Sequence, residues 1–384
     1  MAKILYIQDK MKNKAGMERI LTAKINYLAE HTDHQLFLLT YEQNGCPFPF
    51  ELNQAIHQIS IDNSIPLRKD YSLLIWFSKY LSARKHFCHS LKEILKNVKP
   101  EIVVCNVYSF ALLDIIIRIS SSYSIKTIIE SHTKVSSTFV SHKLKYNKVL
   151  YYLFQKWDKY ILYQLKSTSY VVALTEQDAN DWQPYVNKVV IIPNFITIVP
   201  KTVKNYSAKR VISAGRYAYE KGYDSLLQAW TKVTEDYPEW ELHIYGDGER
   251  DTYKHLSEQY RITGSVFLHP STPDIAEEFS NSSIFVMSSR YEGFGLVLVE
   301  AMSCGLPCIA FDCPYGPRNI IMNKHNGILV DNQDIDQLSK AIEYLIHNVT
   351  IRESYGRNAM NIINKYNREN IMNQWITLFN NLNN

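Results

Sequence analysis

Short apolar runs alternate with longer amphipathic stretches along the whole chain. The alternation breaks once, from Ile192-Pro193-Asn194-Phe195 to Pro200-Lys201, where two prolines and a polar run read as a linker. This pattern constrains the fold more than any other feature. Strands that are apolar at nearly every position are buried on both faces, and strand–helix–strand order sets consecutive strands parallel with helices over the sheet. Before the break, strands are predicted at Ile4–Ile7, Leu36–Thr40, Ile102–Asn106, Thr127–Glu130, Tyr170–Leu174 and Val189–Ile192, with helices such as Met17–Glu30 and Arg84–Asn97 between them. After it, Arg210–Ala214, Glu241–Tyr245, Val266–Leu268, Ile284–Met287, Pro307–Ala310 and Ile328–Val330 read as strands. Tyr223–Thr234 reads as a helix, and helices starting at Asp334, Arg352 and Arg368 finish the chain. Two doubly wound parallel sheets bind ligands where their strand ends converge.

A length of 384 residues fits two domains, and a 46% hydrophobic share is ample for two cores. The expected division is a Rossmann-like domain over 1–195, a second over 196–365, and a C-terminal helix over 366–384 that packs back toward the first. Lys3–Ile7 is too short for a secretory signal, and no run approaches 18 apolar residues, so a cytoplasmic protein with reduced thiols at its six cysteines is expected. Cys304, Cys308 and Cys313 cluster without a CxxC pair, which fits core packing better than zinc. The net charge of +4 divides into +10 over residues 1–205 and −6 over 206–384. That asymmetry suggests an anionic partner for the first half, a membrane surface or a lipid diphosphate, while a solvated basic face explains it equally well. Nucleic acid is disfavoured, because no binding module accompanies the charge.

Candidate chemistry concentrates in the second half. Glu292-Gly293-Phe294-Gly295-Leu296-Val297-Leu298-Val299-Glu300 carries two carboxylates eight residues apart, with glycines that permit close backbone approach and then an apolar helix. The start of that helix offers unpaired N–H groups and a positive dipole end, which suit a phosphate. Eight positions amount to a little over two turns, so Glu300 is expected on nearly the same side as Glu292. Spacing alone fits a loop glutamate and a solvated helix glutamate as well. Ser213-Ala214-Gly215-Arg216-Tyr217-Ala218-Tyr219-Glu220-Lys221-Gly222 leaves a strand and enters a helix, so its arginine and lysine are placed to clamp a diphosphate.

Ser289-Arg290-Tyr291-Glu292-Gly293-Phe294-Gly295 through Glu300-Ala301-Met302-Ser303-Cys304-Gly305-Leu306-Pro307 resembles the signature of the retaining glycosyltransferases of family GT4 (glycosyl transferases group 1), whose hallmark is E-x7-E. The Arg216/Lys221 loop resembles their diphosphate-holding loop. Ile244-Tyr245-Gly246-Asp247-Gly248-Glu249 resembles the glycine loop beside the nucleotide, with Asp247 better explained as the N-cap of the next helix. Lys14-Ala15-Gly16-Met17-Glu18-Arg19 resembles the G-G-x-E-R loop of the other domain with Ala15 in place of the first glycine, although Gly16 also fits a plain turn and Glu18 and Arg19 solvated first-turn charges. His132 ends a strand where family members place a histidine on the donor sugar; a lone histidine is more often structural. Asp312-Cys313-Pro314-Tyr315-Gly316-Pro317-Arg318-Asn319 has Asn319 where many members carry glutamate, and its C-P-x-G-P form resembles a branch that uses UDP-hexoses or UDP-N-acetylhexosamines for bacterial surface polysaccharides. His269-Pro270 replaces a common glycine near the expected base pocket.

The resemblance implies the GT-B fold, two Rossmann-like domains facing across a cleft, and transfer of a sugar from a nucleotide diphosphate, UDP favoured, to a glycan or lipid-linked acceptor without a cofactor or metal. It implies catalytic roles for His132, Glu292, Arg216 and Lys221, and donor contacts for Gly16, Gly215, Gly246, Gly248, Gly293, Phe294, Gly295, Leu296 and Glu300. A non-catalytic partner subunit and a GT-B-like nucleotide-sugar epimerase are the alternatives. Asp334-Ile335-Asp336 looks like a metal-binding D-x-D but opens a helix, where capping explains it. Lys143-Leu144-Lys145-Tyr146-Asn147-Lys148 running into Tyr151–Trp157 mixes cations with aromatics, as interfacial helices do and as core helices with snorkelling lysines also do.

Overall fold

The computed structural model describes residues 1–13, 15–66, 70–107, 112–132, 148–199 and 206–383. Lys14, Thr133, the 143–147 segment and the Pro200-Lys201 break therefore lie outside the described residues. The chain forms two compact units, one of Met1–Pro193 with Ile371–Asn384 and the other of Asn194–Asn370.

The first unit is built on a seven-stranded parallel sheet: β1 (Lys3–Gln8), β2 (Gln35–Thr40), β3 (His57–Ser60), β4 (Ile102–Val107), β5 (Lys126–Ser131), β6 (Tyr170–Ala173) and β7 (Val189–Ile191), in the order β3-β2-β1-β4-β5-β6-β7. The helices between them are α1 (Gly16–His31), α2 (Leu73–Val98), α3 (Leu113–Ser122), α4 (Lys148–Leu165) and α5 (Glu176–Trp182). In α1, Ile20, Leu21, Ile25 and Leu28 are buried at helical spacing, which fixes its face on the sheet. Strand β3 was not expected from the sequence. It is an edge strand whose side chains are mostly exposed, so it shows no apolar alternation. Helix α2 starts eleven residues before the predicted Arg84. Its first turns leave Leu74, Ile75, Phe77 and Leu81 exposed, and an apolar run facing water lacks the period that marks a packed helix.

The second unit carries a six-stranded parallel sheet: β8 (Arg210–Ala214), β9 (Glu241–Tyr245), β10 (Val266–His269), β11 (Ile284–Met287), β12 (Cys308–Phe311) and β13 (Gly327–Val330), ordered β10-β9-β8-β11-β12-β13. Its helices are α6 (Tyr223–Asp236), α7 (Arg250–Gln259), α8 (Ile275–Ser280), α9 (Leu296–Ser303), α10 (Ile335–His347), α11 (Val349–Ala359) and α12 (Ile362–Lys365). Leu226, Leu227, Trp230 and Val233 of α6 pack with Val211, Leu242, Ile244 and Ile342 in its core. As expected, Asp334 caps α10, accepting from the Gln337 N–H at 2.9 Å. Helix α11 begins before the predicted Arg352, because that side chain is a buried tie: its guanidinium donates to the Leu345 and Ile346 carbonyls at the end of α10 and to Tyr206 O.

The last helix, α13 (Arg368–Asn383), buries Met372, Trp375 and Phe379, and most of it belongs to the first unit. Two parallel-sheet domains with alternating helices make this the expected α/β architecture of GT-B type. No helix among the described residues is long and apolar enough to cross a membrane.

Candidate functional site

In the second sheet the chain starts at β8, winds out to β9 and β10, then returns to the other side of β8 as β11. The carboxyl ends of β8 and β11 therefore flank a topological switch point, the usual ligand crevice of a doubly wound sheet. Two loops leave there, 215–222 and 288–295, and polar contacts join them. Lys221 Nζ donates to Glu292 Oε1 at 2.7 Å, and Ser289 Oγ donates to the same oxygen at 2.6 Å. Ser288 Oγ donates to Lys221 O at 2.9 Å. Arg290 grips Asp224 through both terminal nitrogens (2.9 and 2.6 Å), donates to Tyr219 O at 2.7 Å, and lies 4.1 Å over the Tyr219 ring. Arg216 is exposed and takes part in none of the ion pairs among the described residues. The two loops thus carry two compensated cations, Lys221 and Arg290, and an uncompensated one, Arg216.

Backbone geometry fixes these loops. Gly222 turns the chain at φ +61°, and a Cβ there would stand 2.1 Å from Ser288 O. The Glu292 loop is supported from below by the Pro314–Pro317 turn, where a Cβ on Gly316 would meet Phe294 O at 2.9 Å and Glu292 Cβ at 3.1 Å. That close approach accounts for the C-P-x-G-P segment. Asn319 donates to Tyr315 O in the same turn. Burial, with the Glu292 carboxylate nearby, pushes the Cys313 thiol up to about 12, so it is an inert packing residue. Phe294 is buried edge-on against Tyr366, with ring centroids 5.3 Å apart. Gly295 is the N-cap of α9; the Leu298 and Val299 N–H groups donate to its carbonyl, and the Leu296 and Val297 N–H groups ahead of them have no partner within the helix. Gly293, between Glu292 and Phe294 in the chain, is half-buried.

Glu300 sits further along α9 and is 1% exposed. Its Oε1 accepts a hydrogen bond from the Thr197 hydroxyl at 2.7 Å. Next to β8, the Gly215 N–H donates to Tyr245 O, the Gly246 N–H to His269 O, and the Tyr217 N–H to Asp247 O, with Gly248 bridged to Tyr217. Asp247 does not cap a helix, contrary to expectation. Glu249 occupies the N-cap position of α7 without a side-chain bond, and the Asp247 carboxylate instead takes the N–H and hydroxyl of Ser271. His269 stacks on Tyr245 at 4.3 Å, and burial together with Arg210 lowers its pKa.

In the first unit the switch point lies between β1 and β4, where Asn106 Nδ2 donates to Gln8 Oε1 at 2.7 Å. Ala15 stands at the N-cap of α1 in extended backbone (φ −94°), a conformation open to any residue, so its methyl group imposes no strain ahead of Gly16. Glu18 is buried rather than solvated. His132 follows β5 with its side chain 8% exposed and Nε2 3.3 Å from Glu130 Oε1. Burial alone would raise the Glu130 carboxyl, but Lys24 and His132 outweigh it and hold it at about 2. Burial pushes Asp178 up to about 6 against hydrogen bonds from the Leu174 N–H and the Ser131 hydroxyl. Among the described residues no cluster of three or more His, Cys, Asp or Glu side chains could hold a metal ion.

Sequence comparison agrees with this layout. The profile for glycosyl transferases group 1 matches residues 194–362, and that for Glycosyltransferase Family 4 matches residues 15–198. The chain belongs to the family 4 glycosyltransferases. An uncharacterized glycosyltransferase of Haemophilus influenzae is 27% identical, over 98% of this chain and 99% of its own. The amylovoran biosynthesis glycosyltransferase AmsD of Erwinia amylovora is 26% identical over 99% and 100%. Among solved structures, a variant of S. aureus TarM in complex with fondaparinux, alpha-GlcNAc-glycerol and UDP has a TM-score of 0.75 at 18% identity, covering 99% of this chain and all of that one. In this glycosyltransferase, sequence reasoning found the loops at the second switch point but missed Ser289 and Thr197, which hold the two glutamates. Ser289 lay inside the quoted signature with nothing to distinguish its hydroxyl, and Thr197 lay in a stretch read as linker.

Proposed function

We propose that this glycosyltransferase moves a hexose or N-acetylhexosamine, with retention, from a UDP-sugar to a glycan or lipid-linked acceptor in surface-polysaccharide assembly. The observation that carries this reading is the Lys221–Glu292 pair beside the uncompensated Arg216 at the β8/β11 switch point. Arg216 and Lys221 hold the diphosphate, with the start of α9 and the Gly293 to Gly295 amides behind it. Glu292, fixed by Lys221 and Ser289, accepts from hydroxyls of the donor sugar. Glu300 takes the ribose hydroxyls in the manner in which it takes the Thr197 hydroxyl. Gly215, Gly246 and Gly248 leave room for the nucleotide. Retention follows a same-face path in which the departing phosphate oxygen takes the proton of the acceptor hydroxyl as the new bond forms. Arg216, Lys221 and the positive end of α9 offset part of the diphosphate charge without metal. The polymer-assembly roles named for AmsD, and the UDP named for TarM, support this donor and pathway class.

A thermal-shift and product assay against UDP-, GDP-, ADP- and TDP-sugars, with EDTA present, tests the reading. One UDP-sugar is expected to raise the melting temperature and release UDP slowly. No shift and no release with any donor would favour a non-catalytic partner subunit.

The acceptor side of this reading includes peripheral attachment to the inner face of the membrane. Exposed Leu74, Ile75, Phe77 and Leu81 of α2 share their helix with Lys79 and Lys85, and α4 exposes Tyr152, Tyr160 and Tyr163 beside Lys156 and Lys159. Arg84 of α2 lies 4.8 Å over the Trp157 ring of α4, which makes the two helices neighbours. Apolar and aromatic side chains among lysines suit an anionic lipid surface. Co-flotation with anionic vesicles is expected, weakened by high salt and lost in a Leu74→Ser/Phe77→Ser variant; equal flotation with neutral vesicles would count against it.

A further inference from the structure

Two opposite charges are buried together in the first unit. Lys24, on α1, and Glu130, in β5, are 2% and 1% exposed, and Lys24 Nζ bonds Glu130 Oε1. The same oxygen lies 3.3 Å from Nε2 of His132. The Lys24 ammonium is 4.1 Å from the centroid of Trp375, on α13. Among the described residues, the other titratable groups facing this cluster are Tyr6 of β1, whose buried hydroxyl is raised by burial and then by the Glu130 charge, and Asp178 of α5, which accepts from Ser131 Oγ at 3.1 Å. Desolvating a lysine and a glutamate costs as much as their attraction returns, and apolar residues of similar volume often hold a core as well. Stability alone therefore gives no reason for an ion pair at this place. Its one distinctive consequence is a carboxylate fixed against one nitrogen of an imidazole.

We propose that Lys24 and Glu130 are positioning residues for His132. Glu130 keeps a proton on Nε2 and sets the plane of the ring, so that the lone pair or second proton of the imidazole is carried at Nδ1. Lys24 balances the carboxylate, which otherwise would stand as an unpaired buried charge beside the ring. Trp375 closes the far side of the ammonium and keeps water from Lys24, which ties the last helix to the state of the histidine. The consequence for turnover rests on the reading of His132 as a donor contact; the protonation geometry does not.

Nitrogen-15 NMR of histidine-labelled full-length protein tests it, with the His132 signals assigned by their loss in His132→Gln. In the wild type His132 is expected as the Nε2–H tautomer when neutral, and an Nδ1–H tautomer would overturn the proposal without any variant. Lys24→Met/Glu130→Met removes both charges and the acceptor, and is expected to release the tautomer and lower kcat for donor turnover about tenfold, with little change in donor KM. Lys24→Met/Glu130→Gln keeps an oxygen facing Nε2 and is expected to restore the tautomer and most of the rate. Melting temperatures of the two double variants separate these effects from unfolding. A Met/Met variant with wild-type His132 signals and a wild-type pH profile would overturn the assignment. A released tautomer in a protein that turns over no nucleotide sugar would uphold the positioning role and sink the functional reading instead.

Discussion

Lys221→Met is expected to lower kcat for glycosyl transfer by about 10²–10³-fold, because a cation aimed at the leaving diphosphate acts where charge develops in the transition state. The effect on folding is expected to be small, since the side chain is one-fifth exposed and its partner keeps a second hydrogen bond from Ser289. Glu292→Gln removes the charge but not the shape of that partner. Because the two side chains share one hydrogen bond, the double variant is expected to lose much less than the product of the single losses. Steady-state kinetics with saturating acceptor decides the matter. A raised donor KM with unchanged kcat would reduce Lys221 to an anchor that binds ground state and transition state alike.

Gly222→Ala is expected to destabilise the second unit by about 2–5 kcal/mol, combining roughly 1–2 kcal/mol for a left-handed residue with a side chain and 1–3 kcal/mol for forced repacking. The methyl group has nowhere to go: Ser288 O would lie 2.1 Å from it, and that carbonyl belongs to the backbone of the loop that carries Glu292. Loss of activity is expected even at temperatures where the variant remains folded, since the collision pushes apart the two loops that Lys221 joins. Gly264 provides the control. No atom lies within 4 Å of a Cβ built there, so Gly264→Ala is expected to change stability by less than about 0.5 kcal/mol. Urea unfolding of the two variants beside the wild type gives the comparison.

The second sheet was the more legible of the two in the sequence. Arg210–Ala214, Glu241–Tyr245 and Ile284–Met287 are strands at the positions read from the sequence, because each lies inside the sheet and buries most of its residues. Strand β3 and the first turns of α2 were not legible, since both expose what they carry. Among candidate site residues, the loops of Lys221 and Glu292 could be placed because glycines mark where backbones approach. Their mutual contact could not: it links positions 71 residues apart and depends on β8 and β11 being neighbours. The supposed cap at Asp247 failed for a related reason. Its carboxylate serves a loop on the next strand over, at Ser271, rather than the helix that follows it in sequence. The buried Lys24–Glu130 pair had no signal at all, because a lysine in an amphipathic helix reads as solvent-facing until the helix is docked.

The charge held by the β8/β11 crevice bears on how the nucleotide leaves. Lys221 and Glu292 cancel one another, so the free crevice presents the single charge of Arg216 and a helix end equivalent to about half a charge. A diphosphate set free by transfer carries more negative charge than these two can match. On the proposed reading the crevice is therefore under-compensated toward its spent nucleotide, and the carboxylate proposed to orient the sugar also weakens the hold on what remains once the sugar has gone. A site balanced in this way favours turnover over retention of product, and its affinity for free nucleoside diphosphate should fall as salt screens the little excess it has.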